Sequence, residues 1–206
     1  VIYNQDKKEW WMFYTQRRAN VQSANVAFCY GTDIGIATSS DHGQTWVYKG
    51  TPALEFEEGR NTFWAPDIIY DKGIYHMFVV YIKGVRNDWG GNSKITHYTS
   101  RDLWKWKHED DLKLSSDNVI DPTFYKLPDG KWHVWFKDQS RGSITMTGES
   151  SDLKNWTMSD QPAIGGKPHE GPKIFYFNNV YWMITDEWQG LRVYRSTDAV
   201  SWERQG

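Results

Sequence analysis

The chain has 206 residues, a length that allows one domain, or two small ones, with a real hydrophobic core. Its formal net charge is −2 and no cluster of lysine and arginine dominates, which argues against a nucleic-acid-binding protein. No run approaches the roughly 18 apolar residues of a membrane span. The single cysteine, Cys29, excludes an intrachain disulfide and a cysteine-rich zinc site. The compartment stays open, with a secreted or periplasmic location slightly favoured.

Aromatic residues make up 17% of the chain, with 13 Trp and 12 Tyr. Aromatic side chains favour β-strands, and amphipathic rings are also the usual platforms for the faces of sugars. Most of the tryptophans are expected to pack between sheets. The composition therefore favours an all-β fold and is compatible with a carbohydrate ligand.

Four copies of one unit follow each other along the chain. In each, an apolar strand leads through a tight turn to an aromatic-rich second strand, then through a loop to a third strand, and finally to a Ser-x-Asp…Trp turn. The tight turns are at 4–8, 71–73, 128–130 and 178–179. The closing tryptophans are spaced by 60, 50 and 46 positions, at Trp46, Trp106, Trp156 and Trp202. Repeats of this length with several short strands predict a β-propeller that forms a single domain over residues 1–206.

The first closing turn, at 39–46, matches the Asp-box pattern S-x-D-x-G-x-T-W at every specified position. An aspartate in such a turn caps it by accepting backbone N–H bonds. We therefore predict structural roles for Asp41, Asp102, Asp152 and Asp198.

Three acidic residues stand in register at the start of three successive first strands: Asp67, Asp121 and Glu170. In a propeller, the face where the first strands begin also collects the ends of the second strands and the loops before the third strands. Those segments add further charged and aromatic residues, at Arg17, Arg18, Lys83, Trp89, Lys137, Asp138, Arg141, Glu187 and Trp188. Paired carboxyl groups on a rigid frame are what glycosidic bond cleavage needs, and such a ring suits a neutral sugar.

The motifs "FWAPDIIY", "VIDPTFY" and "HEGPKIFYF", in this order and at one-blade spacing, resemble glycoside hydrolase family 43 over nearly the whole chain. The resemblance implies a five-bladed propeller that cleaves arabinofuranosides and xylosides with inversion. It implies Glu170 as the general acid and Asp121 as the aspartate that orients the acid and raises its pKa. It also implies Trp64, with its neighbour Phe63, as a wall of the sugar pocket. His169, Trp188, Arg17 and Arg141 complete the predicted substrate site.

Two departures from the family pattern matter. The family's general base would fall one to three residues before Val1, and Asp67, the only substitute in register, has no catalytic role by resemblance. About four blades are present where the family has five, so a fragment trimmed at both ends, or one completed by another segment, is expected. Such a fragment could itself be inactive.

No metal site is predicted, because the six histidines show no ligand spacing on one face. His76 and His133 are expected to pack, whereas His169 could touch substrate or tune the acid. No cofactor is required, although a structural cation on the propeller axis is compatible with the pattern. The expected partner is a carbohydrate substrate, with no nucleic acid or membrane partner, and the oligomeric state stays open.

Three other assignments compete with this interpretation. The Asp box suggests a sialidase, but no recognisable arginine motif grips a carboxylate. Family 32-type fructosidases carry Glu-Cys and Arg-Asp-Pro motifs that do not occur here. A carbohydrate-binding propeller without activity would fit the missing base but not the retained Asp121 and Glu170. The choice of sugar is expected to depend on the insertion 19–32 and the loop 84–93.

Overall fold

A computed structural model of the protein describes residues 1–17, 25–54 and 56–206. The described residues form sixteen strands in four antiparallel four-stranded sheets, together with two short 3-10 helices. Each sheet is a meander in which successive strands pair, which is the form of a propeller blade. The predicted all-β, β-propeller fold class is confirmed, with four blades in this chain. The five-bladed type stays a prediction.

The chain divides into two compact units, Val1–Asp111 and Leu112–Gly206, with two blades in each. The prediction of one single domain remains untested. No helix in the described ranges is long and apolar enough to cross a membrane.

The first unit contains blades 1 and 2. Blade 1 consists of β1 (Ile2–Asn4), β2 (Glu9–Gln16), β3 (Asp33–Ser39) and β4 (Val47–Gly50). Blade 2 consists of β5 (Thr62–Asp71), β6 (Ile74–Ile82), β7 (Lys94–Ser100) and β8 (Lys107–Asp111). A 3-10 helix, Val26–Cys29, precedes β3. Large side chains that alternate along these strands, such as Trp11, Met77 and Tyr98, form the core of the unit.

The second unit contains blades 3 and 4. Blade 3 consists of β9 (Val119–Lys126), β10 (Trp132–Asp138), β11 (Ile144–Ser150) and β12 (Thr157–Met158). Blade 4 consists of β13 (Glu170–Phe177), β14 (Val180–Asp186), β15 (Leu191–Ser196) and β16 (Glu203–Gln205). A 3-10 helix, Gln139–Arg141, follows β10. Trp135 of blade 3 packs in one core with Ile174, Tyr181 and Met183 of blade 4.

The fourth strand of every blade lies beyond the three that the repeat predicts. The Ser-x-Asp…Trp turn does not end the blade but joins its third strand to its fourth. The fourth strands are short, from two residues in β12 to five in β8, and mostly exposed. Because they bury few side chains, they lack the alternation that marks a strand in the sequence.

The tight turns take the conformation that their residues favour. Lys72 and Gly73 have φ values of 48° and 84°, and Asn178 and Asn179 have φ values of 52° and 59°. Two successive positive φ values characterise the type I′ turn, whose twist matches a β-hairpin. The predicted hairpins between first and second strands are therefore present.

The Ser-x-Asp turns are capped by their aspartates, as predicted. The Oδ1 of Asp41 accepts hydrogen bonds from Ser39 Oγ at 2.7 Å and from the Thr45 amide at 2.9 Å. These bonds, the serine hydroxyl first, hold the pKa of Asp41 well below its usual range. Equivalent bonds cap the turns at Asp102, Asp152 and Asp198.

Asp41→Asn is expected to lower the thermal unfolding midpoint by roughly 2–4 °C at pH 7 and to leave any turnover unchanged. The lowered pKa means that the stabilisation is present above pH 4 and is lost as the carboxylate is protonated on further acidification. Differential scanning calorimetry at pH 7 and pH 3 would measure this. An equal difference at both pH values would show that the charge of Asp41 does not carry the effect.

Candidate active site

The first strands of blades 2, 3 and 4 share a β-bulge near their start. In each, two residues face one residue of the second strand, between Trp64 and Asp67, between Ile120 and Thr123, and between Glu170 and Lys173. The first bulged residue has a positive φ and precedes a proline: Ala65 (45°), Asp121 (55°) and Gly171 (62°). Proline is tolerated in a strand at a bulge, and bulges re-aim side chains next to active sites.

The three acids do not stand in register, which corrects the sequence interpretation. Glu170 precedes the bulge, Asp121 is the bulged residue, and Asp67 follows the proline. In the other blades, the position of Glu170 is occupied by Trp64 and Ile120. The position of Asp121 is occupied by Ala65 and Gly171, and that of Asp67 by Thr123 and Lys173. The error arises because a shared Pro near an acid does not show on which side of the bulge that acid lies. Asp67 is buried and is not an equivalent of either of the other two acids.

Asp121 and Glu170 are brought together within the second unit. The backbone N–H of Gly171, the residue after Glu170, donates to Oδ2 of Asp121 at 2.9 Å. This bond joins the bulge of blade 4 to the bulge of blade 3. It therefore ties the backbone that carries Glu170 to the side chain of Asp121.

Burial raises the pKa of Asp121 to about 6. The Gly171 N–H opposes this rise, the negative charge of Glu170 adds to it, and the positive charge of Lys137 opposes it. A carboxyl group with such a pKa exchanges its proton close to neutral pH, which is a common property of functional sites. The two carboxyl groups are thus electrostatically coupled.

Glu170 also has a buried cationic partner. The Nζ of Lys137, at the end of β10, donates to Oε2 of Glu170 at 3.0 Å. The Lys137 side chain is 5% exposed and that of Glu170 is 34% exposed. On its other side, Lys137 Nζ lies 5.1 Å from the centre of the Trp188 ring, within cation–π range. Two carboxylates, one ammonium group and one exposed indole thus form a single cluster.

A family model supplies the decisive comparison. The model described as glycosyl hydrolases family 43 matches residues 47–187, which is more than half of the chain and includes Asp121, Lys137 and Glu170 of the cluster. The chain belongs to glycosyl hydrolase family 43. Its enzyme class is therefore glycosidase, and the family match favours this assignment over the sialidase-like alternative.

Solved structures of glycosidases share the fold of this family 43 chain. A family 117 glycoside hydrolase of the marine bacterium Zobellia galactanivorans, Zg3597, matches with a TM-score of 0.82 and 17% identity, over 100% of this chain and 67% of that one. A family 43 β-1,3-galactosidase solved with galactodeoxynojirimycin matches with a TM-score of 0.74 and 15% identity, over 99% of this chain and 74% of that one. The Bacillus subtilis arabinanase Arb43A matches with a TM-score of 0.66 and 19% identity, over 94% of this chain and 70% of that one. No curated protein matches the chain in sequence.

Trp188 and Arg141, two further predicted site residues in the second unit of the family 43 chain, differ in availability. Trp188 is exposed, and its amide is held by Asp186 Oδ1 at 2.7 Å. Arg141 points its Nε toward Asp138, 3.8 Å away. Asp138 is fully buried and accepts hydrogen bonds from Ser115 and Ser116. The Arg141 guanidinium group is therefore paired with the Asp138 carboxylate, although about half of the arginine side chain is exposed.

His169 does not face a ligand, contrary to one of the predictions made for it. The residue is 1% exposed, and both ring nitrogens have protein partners. Nδ1 lies 2.8 Å from the carbonyl oxygen of Lys167 and Nε2 lies 2.7 Å from the Thr145 hydroxyl. Since a carbonyl only accepts, Nδ1 carries the proton. His169 thus anchors the chain immediately before Glu170.

In the first unit, Trp64 and Phe63 have different roles. Trp64 is half-buried, donates from Nε1 to the carbonyl oxygen of Cys29 at 2.7 Å, and contacts the Tyr30 ring. Phe63 is 2% exposed and packs in the core against Tyr81, which corrects its assignment to the sugar pocket. Neighbouring strand residues point to opposite faces, so both could not line one pocket. Arg17 is exposed.

Part of the predicted rim lies outside the described residues, namely Arg18 and positions 19–24 of the insertion 19–32. The sequence predicts Lys137 only as a residue of the rim. A signal was present, because a lone lysine near the end of the apolar run "WHVWF" needs a buried partner.

One group of possible metal ligands occurs among the described residues, Asp129, His133 and Glu149. It lies on the tight turn of blade 3 and on strands β10 and β11, away from the bulges. His133 Nε2 is 3.0 Å from Asp129 Oδ2, and Lys131 Nζ donates to Glu149. The lysine already supplies positive charge to this group, so we assign no metal there.

Proposed function

We propose that the protein hydrolyses arabinofuranosyl or xylosyl linkages of plant-type polysaccharides or oligosaccharides with inversion. Glu170 is the general acid, and Asp121 orients it and adjusts its proton affinity. The observation that carries this proposal is the bond from Gly171 N–H to Asp121 Oδ2, which couples the two carboxyl groups across adjacent blades.

The mechanism is a single displacement. A water molecule attacks the anomeric carbon and gives a proton to a general base, while Glu170 gives its proton to the departing glycosidic oxygen. In this chemistry the acid and base stand roughly 6.5–9.5 Å apart, which leaves room for the water. By the family resemblance, the base occupies a position just before Val1, so activity is to be measured on the full-length protein.

Asp121 supports this chemistry electrostatically. Its negative charge disfavours a second charge on the neighbouring carboxyl, which helps a general acid to keep its proton. Burial first, and then the negative charge of Glu170, raises the pKa of Asp121 to about 6. Within the second unit, Trp188 offers an exposed indole ring for stacking against a sugar face.

The similar structures support a glycoside substrate but name several sugars. They include an arabinanase, a β-xylosidase, a β-xylosidase/α-arabinofuranosidase and β-1,3-galactosidases. All are below 20% identical to this chain, so the pentose assignment rests on the resemblance of the sequence motifs.

The test is hydrolysis of aryl α-L-arabinofuranoside, β-D-xyloside and β-D-galactoside by the full-length protein, with the anomer of the released sugar followed by proton NMR. We expect turnover of a pentoside and initial release of the inverted anomer. Release of the retained anomer would reject the mechanism, and turnover of the galactoside alone would reject the sugar class. Binding without turnover, unchanged by Glu170→Gln, would favour a lectin.

A further inference from the structure

Lys137 belongs to the candidate site, yet the proposed mechanism gives it no task. It occupies the position in β10 directly opposite Ile120, at the bulge that carries Asp121. A fully buried lysine is rare unless it is paired, because removing an ammonium group from water is costly. Its partners are Glu170 Oε2 and the face of Trp188.

We propose that Lys137 is a positioning residue for Glu170: it holds the Oε2 edge of the carboxylate until a glycoside binds and then releases it. This proposal rests on the assignment of Glu170 as the general acid. The structure shows Glu170 in an ion pair with Lys137. A general acid must instead carry a proton when the glycosidic bond breaks.

The proton balance of the cycle follows from this arrangement. As Lys137 withdraws, Glu170 takes one proton from solvent, gives it to the leaving oxygen, and returns as a carboxylate to the ammonium group. Trp188 is exposed, and a sugar that stacks on the ring face next to Lys137 would displace the ammonium group from it. Substrate binding and release of the acid are thereby linked.

The groups facing this ion pair limit its pH dependence. Asp121 approaches from β9. Burial raises the pKa of Asp121, and the positive charge of Lys137 partly opposes that rise. Asp186 lies across from Glu170 on β14. Glu187, which follows β14, is neutralised by Arg192 of β15 at 3.2 Å. Removing the charge of Lys137 therefore removes one of the groups that lower the pKa of Asp121.

The same region of the chain offers a matched control. Lys131, just before β10, is also paired with a glutamate, Glu149, but is 45% exposed and lies at the other end of the strand. Lys137→Met and Lys131→Met each remove one ammonium group from a lysine–glutamate pair. Only the first removes it from the site.

The experiment measures the carboxyl titration of Asp121 by 13C NMR and the pH profile of kcat/KM on the glycoside that the wild type cleaves. In Lys137→Met we expect the titration midpoint of Asp121 to move to higher pH. The alkaline limb of the kcat/KM profile should also move to higher pH, and kcat should fall about 10- to 100-fold. Lys137→Arg restores the positive charge and both pH values but not full kcat, because the guanidinium group has a different shape. Lys131→Met changes neither readout.

The outcomes separate this proposal from the proposed function. If the wild type cleaves no glycoside, the proposed function fails, whereas an Asp121 midpoint that does not move in Lys137→Met overturns the present proposal. If the titration moves while kcat and the alkaline limb stay unchanged, Lys137 is only structural and the proposal is overturned. Should Lys137→Met not fold, 15N NMR of the Lys137 ammonium replaces it. A slowly exchanging signal in the wild type that is lost in Glu170→Gln supports the pairing, and a fast-exchanging signal in both rejects it.

Discussion

Glu170→Gln is expected to lower turnover of glycosides roughly 10²- to 10⁴-fold, the usual range for loss of general acid catalysis. The amide keeps the size of the side chain and can still accept the hydrogen bond from Lys137, so substrate binding should change little. The effect should therefore fall on kcat and leave KM within a few-fold. Steady-state kinetics on the cleaved aryl glycoside would measure both.

The matched control is Glu149→Gln. Glu149 is also paired with a lysine and also lies on a blade of the second unit, but it is remote from the bulges. It should leave kcat unchanged. Equal losses in the two variants would mean that Glu170 acts through stability, and the assignment of the acid would fail.

Asp121→Asn is expected to lower turnover about 10- to 100-fold, because the acid loses both its orienting partner and its neighbouring charge. It should also move the acidic limb of the pH–rate profile to lower pH, since the group that titrates near pH 6 is removed. Asp129→Asn, on the exposed tight turn of the same blade, should do neither. An acidic limb that stays in place would show that Asp121 does not control the proton equilibrium of the site.

Asp121→Asn is expected to lower turnover but to raise the free energy of unfolding. The folded-state pKa of Asp121 is raised, so the native protein binds the proton more tightly than the unfolded chain does. Stability is therefore lost as pH rises from about 4 through about 6, and the full cost of the charged carboxylate is present above that. Asp121→Asn should be more stable than the wild type by about 1–3 kcal/mol at pH 8 and equal to it at pH 4. Urea unfolding at the two pH values would measure the difference.

The architecture was predictable because its signals are local. Tight turns such as Asp71-Lys72-Gly73 and caps such as Asp41 depend on residues within a few positions of one another. The order of three strands per unit follows from alternation of buried side chains. The fourth strands were not predicted because they bury too few side chains to produce an alternating pattern in the sequence.

The site was predictable only in part, because its geometry depends on contacts between strands. The motifs indicate Asp121 and Glu170, and the structure brings them together. They do not show that a bulge separates the positions of the two acids, nor that Lys137 pairs with Glu170. The burial of Phe63 and His169 depends on which face each strand position takes, and the local residue types do not reveal it.

The leaving-group dependence of Glu170→Ala tests the central claim most directly. Aryl glycosides whose leaving group needs no proton, such as dinitrophenolate, should be cleaved by this variant at close to the wild-type rate. Glycosides with an unactivated phenol should lose roughly 10²-fold or more. A loss of the same factor for both leaving groups would contradict the assignment of Glu170 as the proton donor.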